Sequence, residues 1–233
     1  MSIRTKIENG EFEAVLFDLD GTLVDTAPDM VRALQELQHD HGYDPVPYQI
    51  GRANVSNGAL GLLRIGFPDL DDELRDDLLC EYIDRYKDRL CVGSYVFDGL
   101  DPLLETLDEG DRPWGVVTNK PSHLTEPLLQ SLLLADRCAC IVSGDTLKTR
   151  KPDPEPLLYA CELAGVRPQS TIYVGDAARD MEAGRAAGMA TIAAAYGYIT
   201  GDDDPTRWNA DLIVADTQEL AQIVRKAVNL IAS

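Results

Sequence analysis

Four short polar clusters in this sequence combine residue types that can do chemistry. Asp18-Leu19-Asp20-Gly21-Thr22 sets two carboxylates two positions apart, with a hydroxyl close behind. Thr118-Asn119-Lys120 supplies a hydroxyl, an amide and an ammonium, and Lys151-Pro152 a second ammonium. Gly175-Asp176-Ala177-Ala178-Arg179-Asp180 adds two carboxylates one helical turn apart. On an extended chain, residues i and i+2 face the same way, so Asp18 and Asp20 can address one group. Carboxylates at close quarters repel one another unless a cation neutralises them. With oxygen donors and no histidine or cysteine beside them, the expected cation is hard, magnesium ahead of calcium or a transition metal.

Each cluster also has a plain structural reading. Asp20-Gly21 is a strong hairpin-turn signal, although a helix pattern rather than a second strand follows it. An EF-hand loop fails, because Leu23 stands where its glycine belongs and Asp29 where its glutamate belongs. Thr118-Asn119-Lys120 can cap a helix that Pro121 opens, and Asp176 can be an N-cap with Asp180 favouring the helix dipole. Lys151 can be a solvated loop lysine. What weighs against these separate readings is where the clusters fall along the chain.

Apolar runs of strand length occur at Ala14–Phe17, Trp114–Val117, Cys140–Val142, 171–174 and 191–194, with a weaker one at Leu212–Val214. They are nearly uniform rather than alternating, as expected for strands buried on both faces of a parallel sheet. Helical patterns at 121–134, Glu155–Ala164 and 177–187 follow the second, third and fourth runs. This alternation predicts an α/β fold with a Rossmann-like, doubly wound parallel sheet. The first, second and fourth runs end directly in Asp18, Thr118 and Gly175-Asp176. All carboxyl ends of a parallel sheet lie along one edge, where ligands bind in open α/β sheets, so distant clusters can meet there.

One stretch, from Thr26 to about Leu90, has helix signals and no convincing strand. Thr26 with Asp29 reads as a capping box, after which Met30, Leu34 and Leu37 share a helical face. Leu74, Leu78, Tyr82, Tyr86 and Leu90 then recur every fourth residue as a second apolar stripe. The expectation is a small all-helical domain at 26–92, inserted after the first strand into a core made of 1–25 and 93–233.

The net charge of −19 over 233 residues argues against nucleic-acid and anionic-membrane binding. It also requires an anionic substrate to find local positive charge, from a metal or a lysine. No apolar stretch approaches the ~20 residues of a membrane span, and MSIRTKIENGEFE has no apolar signal region, so the chain is expected in the cytoplasm. The five cysteines include no C-x-x-C pair, and the Cys138/Cys140 pair has no histidine or further cysteine pair nearby to complete a zinc site. Reduced, partly buried thiols are expected. His39, His41 and His123 show no ligand spacing.

Taken in order, Asp18-x-Asp20-Gly21-Thr22, Thr118-Asn119, Lys151-Pro152 and Gly175-Asp176-x-x-x-Asp180 resemble the four motifs of the haloacid dehalogenase superfamily of phosphohydrolases. The resemblance covers nearly the whole chain, since the helical insertion looks like that family's small cap domain. Within the family the chain is most similar to phosphoglycolate phosphatases, through Val117-Thr118-Asn119-Lys120-Pro121, Lys151-Pro152-x-Pro154-x-Pro156-Leu157 and Gly184-x-Ala186-x-Gly188-Met189. Tyr196-Gly197-Tyr198-Ile199, followed by Trp208 and Asp211, resembles a bacterial branch that includes N-acetylmuramic acid 6-phosphate phosphatase. One departure is Ala177, where many members carry threonine.

The resemblance implies a magnesium-dependent phosphatase. It gives Asp18 as nucleophile and Asp20 as general acid, then base. Magnesium would be held by the Asp18 carboxylate, the Asp20 carbonyl and the Asp176 carboxylate, with Asp180 acting from behind through water or Lys151. Thr118, the Asn119 amide and Lys151 would bind phosphoryl oxygens, with Lys120 beside them. Residues 52–58 resemble the cap's substrate-reading loop, so Arg52, Ser56 and Asn57 become substrate-binding candidates, Arg52 for a substrate carboxylate. A solvated helix start is the plain alternative for Arg52. The implied partner is a small phosphate ester, either 2-phosphoglycolate or a sugar phosphate, handled by a monomer or homodimer. A phosphosugar mutase of the same superfamily would share every core motif. A non-enzymatic phospho-aspartate receiver would be about half as long and lack the insertion.

Overall fold

The computed structural model describes residues 3–201 and 203–230. The extreme ends of the expected core, 1–2 and 231–233, lie outside the described residues. Helix α1 (Ile3–Glu8) leads into β1 (Ala14–Phe17) and a two-residue strand, β2 (Val24–Asp25). Helices α2 (Ala27–Asp40), α3 (Tyr48–Ala53), α4 (Gly58–Gly66) and α5 (Asp72–Asp88) follow, and β3 (Tyr95–Val96) returns the chain. The next half reads α6 (Asp101–Glu109), β4 (Trp114–Val117), α7 (Ser122–Ser131), β5 (Cys140–Val142) and α8 (Glu155–Ala164). It closes with β6 (Thr171–Gly175), α9 (Ala178–Ala186), β7 (Ala190–Ala194), β8 (Leu212–Val214) and α10 (Thr217–Ala227).

Six strands pair in parallel in the order β5-β4-β1-β6-β7-β8, with β1 central. Every residue of β1, β4, β6 and β7 is buried. Strand alternation divides them between two layers. Val15, Phe17, Ile172 and Val174 pack with α6, α7 and α10, whereas Leu16 and Tyr173 pack with α8 and α9. Covering both faces accounts for the uniform apolar runs. Connections run outward from β1 through β4 to β5, then cross back to β6, so the strand order reverses beside β1 and opens a crevice at its carboxyl end.

Helices α2, α4 and α5 share an apolar cluster that includes Leu34, Leu37, Leu62, Leu63, Phe67, Tyr82 and Tyr86, and that reaches Leu124 and Tyr198 at the sheet edge. Of the expected α5 stripe, Tyr82 and Tyr86 are buried, while Leu74 in the first turn stays largely exposed. The ends of this helical segment are drawn together by β2 and β3, which pair antiparallel, Val24 with Val96 and Asp25 with Tyr95.

The expected capping box does not form. Thr26 is the N-cap of α2 but makes no side-chain capping bond. Its hydroxyl donates instead to Asp20 Oδ1 at 2.6 Å. The Asp29 carboxylate accepts from the Gly93 and Ser94 amides and the Ser94 hydroxyl, at 2.7, 2.8 and 2.6 Å. Charge-assisted bonds to distant partners have displaced the local ones. The cysteines are all free, Cys140 and Cys161 buried and Cys80 exposed. Among the described residues, no helix is long and apolar enough to cross a membrane.

Candidate active site

The ladder of the central strand runs directly into the first cluster, because the Asp18 N–H donates to the Val174 carbonyl at 2.8 Å. The Asp18 carboxylate therefore has a fixed backbone behind it, and its Oδ1 accepts the Leu19 N–H at 2.8 Å. Lys151 Nζ lies 2.8 Å from Asp18 Oδ1 and 2.8 Å from Asp180 Oδ1, and donates to the Tyr173 hydroxyl at 2.8 Å. That hydroxyl donates on to the Val117 carbonyl at 3.0 Å. Lys151 is only 2% exposed, so it is no solvated loop lysine. An ammonium this deep needs its carboxylates and phenol to remain charged. The Asn119 side-chain amide holds the lysine loop by donating to the Lys151 carbonyl at 2.9 Å.

Asp18, Asp176 and Asp180 each offer an oxygen within 4.8 Å of the others, and all three are buried. Asp176 Oδ2 accepts from the Ser56 hydroxyl at 2.7 Å and the Tyr198 N–H at 2.9 Å, while its Oδ1 has no partner. Burial, and next the charges of Asp18 and Asp180, push the Asp176 carboxyl up to about 8 in spite of those bonds. Burial likewise raises Asp180 against the pull of Lys151, and its Oδ2 accepts the Ala177 N–H at 3.0 Å. Gly21 closes this space from the side. Its φ of +83° suits glycine, and a β-carbon there would collide with the Asp176 carboxylate. A buried oxygen without a partner, on a carboxyl that burial and two neighbouring carboxylates raise, fits a hard divalent cation.

Asp20 faces elsewhere. Its Oδ1 accepts from Thr26 Oγ1 at 2.6 Å and Lys120 Nζ at 2.8 Å. Lys120 Nζ donates also to the Tyr86 hydroxyl at 2.9 Å, 4.7 Å above that ring, and so ties the sheet edge to α5. Burial alone would lower the Lys120 ammonium, but Asp20 and then Tyr86 raise it above its ordinary value. Thr118 Oγ1 accepts the Lys120 N–H at 3.1 Å.

A cavity of about 610 Å³ separates these groups from the helical segment. Its core wall contains Asp18, Asp20, residues 118–120, residues 150–152 and Arg179. Residues 55–60 with Arg64, Tyr82 and Tyr86 face them. The structure thus brings Ser56 and Asn57 to the site. It does not bring Arg52, whose guanidinium sits 4.9 Å from the Tyr198 ring centroid and 3.9 Å from Asp25 Oδ2, because a buried carboxylate and an aromatic face hold it. Arg150 stands at the cavity, exposed and with no ion partner among the described residues, and Arg64 reaches only Asp72, at 3.7 Å.

A family model described as haloacid dehalogenase-like hydrolase matches residues 15–194, which runs from β1 to β7 and takes in every group above except Tyr198. The chain belongs to this family. Among similar members of it is the N-acetylmuramic acid 6-phosphate phosphatase of Pseudomonas aeruginosa, 42% identical over 217 residues, covering 93% of this chain and 96% of that protein. The phosphoglycolate phosphatase of Xanthomonas campestris is also 42% identical, over 207 residues, 89% of this chain and 94% of that one. A crystal structure described as a predicted phosphoglycolate phosphatase from Haemophilus somnus superposes with a TM-score of 0.81 at 26% identity, covering 91% of this chain and 98% of that one.

Three groups at this haloacid dehalogenase-like site were not singled out for a role from sequence. Arg179 lines the cavity and donates to the Ser56 carbonyl at 2.9 Å, and it stood unassigned inside the fourth cluster. Tyr86 read as one member of an apolar stripe, and only its hydroxyl carries the contact with Lys120. Tyr198 read as part of a family-like tail, and nothing local announces that its hydroxyl reaches Thr26.

Proposed function

We propose that this phosphoric monoester hydrolase is a magnesium-dependent phosphatase of small phosphorylated metabolites, working through an aspartyl-phosphate on Asp18. The observation that carries the reading is the separation of two carboxylates only two residues apart. Asp18 lies with Lys151 and the Asp176/Asp180 pair, whereas Asp20 is held apart by Thr26 and Lys120. One is suited to attack and the other to proton transfer.

In this mechanism an Asp18 oxygen attacks phosphorus in line, and the bond from phosphorus to the ester oxygen breaks. Asp20 gives its proton to the departing alkoxide. Water then attacks the aspartyl-phosphate, Asp20 takes up its proton, and inorganic phosphate leaves with Asp18 restored. Lys151, the Thr118 hydroxyl and the Asn119 N–H would bind the phosphoryl oxygens through both steps. The Asp18 and Asp176 carboxylates with the Asp20 carbonyl would hold magnesium, Asp180 acting from behind through Lys151. Once bound, the ion supplies charge neutralisation at the phosphoryl group. Residues 26–92 serve as a cap over a core of 1–25 and 93–233, excluding bulk water when the substrate is seated. Their paired ends, and an apolar cluster whose buried members come mostly from this segment, with only Leu124 and Tyr198 from the core, support this division.

The substrates named for the two relatives both carry a carboxylate as well as a phosphate ester. For this chain we take a carboxylate-bearing phosphomonoester as substrate, with Arg150 and Arg64 as the cations available to meet it. Release of inorganic phosphate from a panel of phosphorylated metabolites, with and without a magnesium chelator, tests the reading. Chelation should abolish turnover of the acidic esters. Conversion of a bisphosphate-primed sugar phosphate into its isomer, with no free phosphate, would select a mutase instead.

A further inference from the structure

Tyr198 is in contact with both halves of this machinery. It lies in the loop after β7 and is 2% exposed. Its N–H donates to Asp176 Oδ2 at 2.9 Å. Its hydroxyl accepts the Thr26 and Ala27 amides, at 2.7 and 2.9 Å, and donates to Asp25 Oδ1 at 2.7 Å. Two lone pairs and one proton are thereby all used.

An N-cap side chain ordinarily accepts from the second or third helical amide. Here the second position is Pro28, which has none, and the Thr26 side chain makes no capping bond. The phenol, 172 residues away in sequence, accepts instead the N–H of the N-cap Thr26 itself and that of Ala27. It thus fixes the backbone from which the Thr26 hydroxyl donates to Asp20 Oδ1 at 2.6 Å. Arg52 covers the Tyr198 ring, and its Nη1 donates to the Gly197 carbonyl at 3.4 Å, which keeps the phenol in place.

We propose that Tyr198 is a positioning residue for proton transfer, its hydroxyl fixing the backbone at the start of α2 so that Thr26 is set to aim Asp20. The inference rests on the phosphatase reading above. Tyr198→Phe keeps the N–H on Asp176 but strips the Thr26 amide of its acceptor and leaves the Ala27 amide only Asp25 Oδ1, at 3.2 Å. The Thr26 backbone then loses its anchor, and its hydroxyl is no longer held on Asp20.

The readout is leaving-group dependence. An alkyl phosphate needs a proton from Asp20 as its ester bond breaks, whereas p-nitrophenolate departs without one. For Tyr198→Phe, the fall in kcat/KM should be about tenfold larger on an alkyl phosphate than on p-nitrophenyl phosphate. Thr26→Val removes the same hydroxyl bond at constant shape and should reproduce the split, whatever Tyr198→Phe does to folding. A purely structural role would depress both esters alike in both variants, and that result overturns the proposal. A wild-type chain that hydrolyses neither ester overturns the phosphatase reading, and the inference with it.

Discussion

Lys120 Nζ lies 2.8 Å from Asp20 Oδ1, with the lysine side chain 4% and the aspartate side chain 17% exposed. Among the described residues the ammonium has no second carboxylate, its other partners being the Tyr86 hydroxyl and the Met30 sulfur. Lys120→Met therefore leaves the Asp20 charge uncompensated. Turnover of an alkyl phosphate should fall roughly a hundredfold, and urea unfolding should show about 3 kcal/mol of lost stability. A variant unchanged in both would mean that the pair does not form in solution.

Asp18→Asn removes the attacking charge at nearly constant volume. Lys151 keeps Asp180 and the Tyr173 hydroxyl, so the fold should survive. Phosphate release should drop by more than about a thousandfold, with the far-ultraviolet spectrum unchanged. Turnover close to wild type would rule out Asp18 as the nucleophile.

Asp176 makes magnesium binding dependent on pH. Its carboxyl is pushed from 3.8 up to about 8 without metal, by burial first and neighbouring carboxylates second. A folded value above the unfolded one means that the folded chain holds the extra proton across this window. Metal-free stability from this group thus falls as pH rises from roughly 4 towards 8. Magnesium requires the ionised form. The gain in melting temperature on adding millimolar magnesium should be larger at about pH 8 than at about pH 6. Equal gains at both would place the ion away from Asp176.

Arg150 and Arg52 offer a direct contrast. Arg150→Ala should raise KM for a carboxylate-bearing phosphomonoester about tenfold, with little change for p-nitrophenyl phosphate. Arg52→Ala, acting on Tyr198 and Asp25 rather than the cavity, should leave the ratio of the two KM values unchanged, whatever it does to kcat. The reverse pattern would return the carboxylate contact to Arg52.

The thiols should be inert. Burial pushes Cys138 and Cys140 up to about 12, and raises Cys161 and Cys91 as well. A raised value leaves the thiol protonated at mild pH, and the thiolate is the reacting form. A thiol reagent at about pH 8 should find the exposed Cys80 quickly and the rest only after denaturation. Five fast thiols in the native protein would contradict this burial.

The sheet was legible because burial on both faces writes continuous apolar runs, and α8 matches its expected span because Pro154 opens it and Gly165, at φ +68°, stops it. Strands β2 and β3 are two residues each, too short to carry a period. Thr26 and Asp29 have the spacing of a capping box, and only Asp20 and the Gly93-Ser94 amides, which take their side chains elsewhere, explain why they do otherwise. Three of the four motif clusters could be placed because each lies directly at the end of a strand, whereas Lys151 sits well beyond β5. Tyr86 and Tyr198 could not, since an aromatic body that belongs in a core hides the hydroxyl at its tip. Arg52 had the right charge in the right loop, but the Tyr198 face lies nearer to it than the cavity does.

The ribbon of β2 and β3 has an evolutionary consequence. By setting Asp25 beside Tyr95 it brings the two ends of the helical segment together, so the chain leaves and rejoins the sheet edge at one place. Residues 55–86 supply most of the non-catalytic wall from one uninterrupted run of chain. Lineages can therefore exchange or redraw that run while inheriting the phosphoryl-transfer apparatus intact, and two relatives equally distant from this chain can bear different substrate names.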